Sequence, residues 1–559
     1  MTGAPSGGDT PSTAIHLASA ALASFAGEHG GWAAPLSTPA PIDAITVLCQ
    51  LPAPPPGALS EAAQSILARL EADGRYPAFP GGPADSGACV LAYTLLKLSG
   101  LSSSAEPMEH LRSRVLSLGG LQAVDPYTRL LLAFFGLYPG EHLPPLPPRN
   151  EWPQLPAWAR AQLAPLSHLY NSHIATGLPR PAPRDFSITE LIRSALPVSD
   201  PKPASPPGLQ SLFRKVSGWL SAPAQDPAPP PLPDHTANLA PTPGLWLTRL
   251  AAGQPLPSRC VPAALPVRDT ALALLAHPRP SPESAAWLRR QCLPGAAWPR
   301  QFAAELHPHT EETALALLAL HRADPSQETP AEPLQWLRRQ QNRHGGWAAC
   351  EPNLHRPASP PLPFPGPFAD ADPACPALTG LALEALAASG ATPGDPAVQR
   401  GVQFLLDAQL MRDGSWSSRW GIHFLHGTCF ALRGLRAAGF DDHDAVVLRA
   451  GEWLRSCQNA DGGWGESPAS LDAGEFIEAP SNPIQTAWAL LGLVAGGDPA
   501  SESVRRGRDY LLASQTPDGA WLSPAPTLLH VPPVLLLASP LDALVFPILA
   551  LQGLREANS

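Results

Sequence analysis

The stretch His309-Thr310-Glu311-Glu312-Thr313-Ala314, running on into Leu315-Ala316-Leu317-Leu318-Ala319-Leu320, decides how this chain is read. Two adjacent carboxylates stand before a run of Ala and Leu. A helix that is apolar all round has to be buried, so its first turn brings two acids to the mouth of a hydrocarbon interior. A plain structural reading stands beside this one. Acidic residues in a first turn complement the helix dipole, and Thr310 could serve as the N-cap. Recurrence favours a functional reading, because the same helix opening returns along the chain.

The 559 residues are 44% hydrophobic, 15% charged and 6% aromatic, and carry a net charge of -10. This length predicts about two to four domains with sizeable cores. The acidic balance excludes nucleic acid as the main partner, since no basic field is present to hold phosphates. Lysine is nearly absent, occurring as Lys97, Lys202 and Lys215. The 73 prolines gather between helical segments. None of the eight cysteines forms a CxxC pair, which excludes a zinc ribbon or a redox dithiol and fits reduced thiols in the cytosol. Met1 to Ser12 lacks the pattern of a signal peptide. Leu528 to Leu551 is interrupted by Pro532, Pro533, Pro540 and Asp542, and so makes a poor membrane span.

Apolar periodicity predicts helices over 14–26, 62–70, 86–98, 109–118 and 127–135, with Pro144-Pro145-Leu146-Pro147-Pro148 as a rigid connector and a further helix opening at Trp158. No β alternation is sustained, so the fold class is all-α. The proline-rich stretch 223–243 reads as a linker. Beyond residue 262 a unit repeats. An amphipathic helix ends in Gln, a Gly-containing turn and Trp: Gln291…Gly295…Trp298, Gln341…Gly345-Gly346-Trp347, Gln409…Gly414-Ser415-Trp416, Gln458…Gly462-Gly463-Trp464 and Gln515…Gly519-Ala520-Trp521. Between these turns lie apolar helices over 269–275, 311–320, 378–386, 427–435 and 485–493. Apolar helices inside and amphipathic ones outside make an α/α barrel. We expect two such toroids: a smaller one over 33–240, and a larger catalytic one over 262–559 completed by an N-terminal helix within 12–32. In the turns, Gly permits left-handed backbone, Gln can bond loose groups at a neighbouring helix end, and Trp can cover that bond.

These turns, together with Phe79-Pro80-Gly81-Gly82-Pro83, Ser415-Trp416…Arg419-Trp420-Gly421 and Gln485-Thr486-Ala487-Trp488, resemble those of squalene–hopene cyclases, the class II terpene cyclases. The resemblance covers nearly the whole chain and is weakest over 200–262. It implies two α/α barrels around an apolar cavity, a squalene-like isoprenoid substrate and no metal or redox cofactor. It also implies a cytoplasmic enzyme attached monotopically to the inner membrane surface, for which a homodimer is a compatible assembly. In such enzymes a buried Asp of a DXDD motif protonates an alkene. His309-Thr310-Glu311-Glu312 falls on that motif, so the resemblance makes Glu311 the proton donor and Glu312 its charged neighbour. An alkene is a very weak base, so the acid should be protonated at rest and shielded from water. Asp269 matches an Asp-Thr position, and Trp158 and Trp420 match retained cavity aromatics.

The sequence also departs from that pattern. Leu381 stands where a histidine activates the acid, and Ala377 where an Asp precedes it. His426 replaces a tyrosine, and Arg268 replaces a Trp beside Asp269. Val531-Pro532-Pro533-Val534-Leu535 and Ser539-Pro540-Leu541-Asp542 replace a segment that carries Phe and Tyr. His426 or His309 is then available to activate Glu311. A second reading follows from the same losses, in which the barrel binds an isoprenoid lipid or a partner without turnover. Asp441-Asp442-His443-Asp444 lacks metal–diphosphate spacing and reads as a solvated turn.

Overall fold

The computed structural model describes residues 10–34 (without 28), 58–125 (without 78, 80 and 81), parts of 128–167, residues 188–191, 265–354 (without 303 and 304) and 371–557 (without 524 and 531–534). The expected linker 223–243 and the segment Val531–Val534 lie outside them, as does most of the expected helix 127–135. Helix α1 spans Pro11–Leu22. Helices α2 (Ala58–Arg69), α3 (Ser86–Leu98) and α4 (Glu106–Ser117) pack in sequence order in the first half of the chain.

The second half alternates two kinds of helix. Those of the first kind are α5 (Pro266–Ala276), α7 (Thr310–Ala323), α9 (Pro376–Ala388), α11 (Phe424–Ala437), α13 (Pro483–Ala495) and α15 (Asp542–Ala557). The helices of the second kind are α6 (Pro282–Arg290), α8 (Ala331–Arg339), α10 (Pro396–Ala408), α12 (Ala445–Ser456) and α14 (Glu502–Ser514). Helix α9 buries ten of its 13 residues, whereas α10 buries four of its 13. That contrast places the first kind inside. The inner helices pack α5 on α7, α7 on α9, α9 on α11, α11 on α13 and α13 on α15, and α15 returns to α5, which closes the ring. Helix α1 packs on α15 and supplies the sixth outer helix. Proline opens α1, α5, α6, α9, α10 and α13, at a position where the missing N–H is no loss.

The repeated turns hold this ring together. The Gln341 amide donates to the carbonyls of Gly345 in its own turn and Ala397 in α10, both at 2.8 Å. Gln409 reaches Gly414 and Val446 in the same way, and Gln458 reaches Gly462 and Ser503. Gln515 donates to Gly519 and, at 3.0 Å, to Ala14 of α1, tying the N-terminal helix to the last outer one. Each Trp indole N–H donates to a loose carbonyl at the end of the helix before it: Trp298 to Leu288, Trp347 to Leu337, Trp416 to Leu405, Trp464 to Leu454 and Trp521 to Leu511, at 2.7–2.8 Å. The Trp thus caps its own helix. A Thr on the next inner helix receives the Trp backbone N–H, as Thr379 does from Trp347 and Thr486 from Trp464.

Two short antiparallel hairpins depart from the purely helical expectation. Strands β1 (Pro299–Phe302) and β2 (Glu305–Pro308) lead from Trp298 into α7, and β3 (Leu528–His530) pairs with β4 (Leu535–Leu537) ahead of α15.

Gly345 combines φ +97° with a backbone so close that an added Cβ would sit 2.1 Å from the Arg400 carbonyl of α10, while Gly295 has φ +67° and open space around it. Gly295→Ala should cost about 1–2 kcal/mol for left-handed backbone. Gly345→Ala should cost roughly 1–3 kcal/mol more for the clash. Urea unfolding of the two variants measures the difference, and equal losses would contradict the close helix–turn contact.

Candidate active site

Five inner helices carry the Thr that meets a Trp turn, at Thr270, Thr313, Thr379, Thr428 and Thr486. On α5 and α13 the residue just before the Thr faces the turn. Asp269 accepts the Ala34 N–H at 3.1 Å, and Gln485 accepts the Glu466 N–H at 2.8 Å. Glu312 is the equivalent on α7. The residue two before each Thr shares one level of the ring: Arg268, Glu311, Ala377, His426 and Ile484. Asp542, at the start of α15, joins them. All six inner helices therefore present their N-terminal ends, which favour anions, at one end of the barrel.

His309 caps α7, with its Nδ1 accepting the Glu311 backbone N–H at 3.2 Å. The expected cap, Thr310, instead sits inside the helix and donates to the Ala348 carbonyl at 2.6 Å. Glu311 lies between two buried guanidiniums. Arg268 Nε donates to its Oε1 at 2.9 Å and Arg300 donates to its Oε2 at 2.6 Å. Arg300 Nε also donates to Glu312 Oε1 at 2.6 Å. Arg268 grips Asp542 with two bonds of 2.7 and 2.9 Å. His309 Nδ1 is 2.5 Å from Glu312 Oε2, without an aligned hydrogen bond. Two guanidiniums thus serve three carboxylates in a nearly dry site, where charge pairs are strong.

This network corrects one expectation. Burial pushes the Glu311 carboxyl up, but Arg300 and then Arg268 more than reverse that and hold it well below the usual carboxylate range. Burial opposes ionisation of Glu312 too, and Arg300 and His309 bring it below its ordinary value. Glu311 therefore rests as a carboxylate, not as the protonated acid expected from its apolar helix. Leu381 and Ala377 are both buried on α9 and offer no charge. The cations beside Glu311 come from β1 and α5, as Arg300 and Arg268.

The other expected residues fall into three places. Trp158 and Trp420 meet edge to face with ring centroids 5.8 Å apart, and Trp420 meets His309 at 5.2 Å, with Arg300 5.1 Å above its ring. They form one wall beside Glu312. His426 lies elsewhere on the ring, against Trp488 and Phe430, each at 4.7 Å. Burial holds its imidazole down to about 3, so it is neutral, and it makes no hydrogen bond to Glu311. Asp269 departs from the expected cavity position. It is fully buried against the 32–34 turn, and burial raises its carboxyl to about 7.

The sequence reading missed Arg300 and Asp542 as members of the site and took Arg268 only as a replacement for Trp. The Thr register could have found Arg268, which stands two residues before Thr270 as Glu311 stands before Thr313. His309, Glu311 and Glu312 bring ligand-type atoms within 4.8 Å of one another. Arg268 and Arg300 already neutralise those carboxylates, so a divalent ion would have to displace them, and the residues do not fit a metal. Asp441 and Asp444 form the turn before α12, with the Asp441 N–H donating to Asp444 at 2.9 Å.

A model of the squalene–hopene cyclase C-terminal domain matches residues 248–556, and one of the N-terminal domain matches residues 15–231. A probable squalene–hopene cyclase of Sinorhizobium fredii is 30% identical over 99% of this chain and 98% of its own length. The squalene–hopene cyclase of Alicyclobacillus acidocaldarius is 29% identical over 88% of this chain and 89% of its own. Among solved structures, ent-copalyl diphosphate synthase from Streptomyces platensis superposes with a TM-score of 0.56 at 19% identity, covering 97% of this chain and 99% of that one, which establishes a shared fold.

Removing one cation should expose the cost of this cluster. Arg300→Met leaves Glu312 and one oxygen of Glu311 without a counter-charge, and should destabilise the fold by about 3–5 kcal/mol. Adding Glu312→Gln should restore part of that. Urea unfolding checks both, and a loss below about 0.5 kcal/mol for Arg300→Met would contradict the described pairing.

Proposed function

The chain belongs to the squalene–hopene cyclase family, and on that premise we propose that it is a terpene cyclase acting on a linear, squalene-like polyprene. Protonation of an alkene starts the reaction, and the internal alkenes then close rings in turn. The observation that carries this reading is the buried carboxylate pair Glu311–Glu312, set at the N-terminal ends of a ring of apolar helices.

The two guanidiniums shape how the acid works. A carboxylate stabilised by cations binds a proton reluctantly, but once protonated it is a correspondingly strong acid, as an alkene demands. Glu311 therefore acts through a minor protonated form, with Glu312 as its charged neighbour and His309 beside them. Trp158 and Trp420 supply aromatic surface beside it, and π faces suit developing cations. Such a hydrocarbon substrate dissolves in a bilayer, so the same reading places the protein peripherally at the cytoplasmic face of the inner membrane. No helix among the described residues is long and apolar enough to cross a membrane.

A second reading has one specific observation behind it. The resting ionisation of Glu311 and the loss of the histidine at Leu381 fit a barrel that binds isoprenoid lipid without turnover. Incubation with squalene and with shorter and longer polyprenes, followed by mass spectrometry, separates the two. The cyclase reading expects cyclic products from the parent and a loss of roughly 10²-fold or more in Glu311→Gln. Because the folded carboxyl lies below its ordinary range, its protonated fraction rises as pH falls. Turnover should then increase about tenfold per pH unit between about pH 8 and pH 6. A flat profile, or a Glu311→Gln variant with the parental rate, would remove Glu311 from the role, and bound lipid without product would favour the second reading.

A further inference from the structure

A proton given at the start of a cyclisation has to be taken back at the end, and a dry barrel offers few groups able to take it. His426 has the required surroundings. It lies on α11 at the same ring level as Glu311, opposite Arg268 in the order of inner helices. It is 7% exposed, and its Nδ1 is buried with no hydrogen-bond partner among the described residues. The adjoining indole N–H of Trp488 is buried and unpartnered as well. Two orphaned polar atoms on adjoining rings cost free energy unless a guest meets them. Three aromatic rings pack about them. Trp488 stands edge to face on His426 at 85°, Phe430 is tilted against it, and Phe546 packs on Trp488 at 5.5 Å. The chain makes room for this ring on purpose of shape alone: a Cβ at Gly421 would lie 2.2 Å from the imidazole, so only glycine fits beneath it.

We propose that His426 is a catalytic residue of this chain that ends the reaction, accepting at Nδ1 the proton lost by the last carbocation as it becomes an alkene. This rests on the cyclase reading above. The C–H bond next to the cationic carbon breaks, its electron pair forms the new double bond, and the proton passes to Nδ1. The proton supplied by the carboxylate cluster at the start equals the one recovered, so the change is an isomerisation needing no oxidant. Trp488, Phe430 and Phe546 hold the cation against the imidazole until it is discharged. Burial keeps the imidazole neutral and so leaves its lone pair available. A carbocation is acidic enough to protonate even a weak base. The charged groups felt at His426 are Glu311, which favours the imidazolium, and Arg268, which opposes it; the neighbouring His423 is itself held neutral by burial.

The test is product composition rather than rate. The full-length protein and its His426→Phe variant, which keeps the aromatic volume and loses the lone pair, are incubated with the polyprene panel, and alkenes, alcohols and isomeric alkenes are quantified. The parental alkene should fall by roughly 10²-fold relative to alcohols and isomers, the order of a general base's contribution. His426→Gln, which keeps polarity without comparable basicity, should shift products the same way and stands in if the Phe variant fails to fold. Unchanged proportions in a folded variant would overturn the proposal, as would a parental product that is an alcohol. A parent that converts no polyprene would instead overturn the cyclase reading and this inference with it.

Discussion

The structure depends on one bond pattern repeated around the barrel, in which a glutamine amide joins the turn after one outer helix to the first turn of the next. Apolar burial alone would let the inner helices slide past one another, because it has no direction. The Gln amides and Trp indoles supply direction. The indoles satisfy buried carbonyls that helix C-termini leave loose, where an unmade bond is costly, and the amides tie each turn to the next outer helix. Gln515 carries the pattern across to Ala14, so a segment distant in sequence completes the outer ring. The threonines then fix five of the six inner helices to their turns, which brings their first turns into one register.

That shared register produces the chemistry. Because the six inner helices begin together, residues from α5, α7 and α15 meet at one end, and Arg268 can bridge Glu311 and Asp542. Arg300 reaches the same carboxylates from the β1–β2 hairpin. A buried ion cluster is a poor source of stability compared with apolar packing. Its presence at the mouth of an otherwise apolar ring is better explained by what it can do to a proton. The neutral, aromatic side of the ring around His426 is chemically the opposite of the charged side around Glu311. A reaction that begins by giving a proton and ends by removing one uses both.

Much of this was legible in the sequence. The five Gln–Gly–Trp turns and the five apolar runs between them marked most of the inner and outer helices, and the N-terminal helix packs on α15. The burial of Glu311 and Glu312 also followed from the Ala–Leu run. The protonation state did not. It is set by Arg300, which lies in a hairpin of four-residue strands too short to show alternation, and by Arg268, which is 43 residues away along the chain. Charge partners brought together by ring closure leave no local trace. The repeated Thr was present in the sequence, and reading it as a register mark would have aligned Arg268, Glu311 and His426 before any coordinates.

The central claim is that the cluster around Glu311 transfers a proton to an alkene. Reaction of the protein with squalene in deuterium oxide, with the product examined by mass spectrometry and NMR, tests this most directly. The account predicts a cyclic product with a single deuterium, placed on the less substituted (CH) carbon of the terminal alkene, which received the proton. A cyclic product without that label, or squalene recovered unchanged, would contradict it.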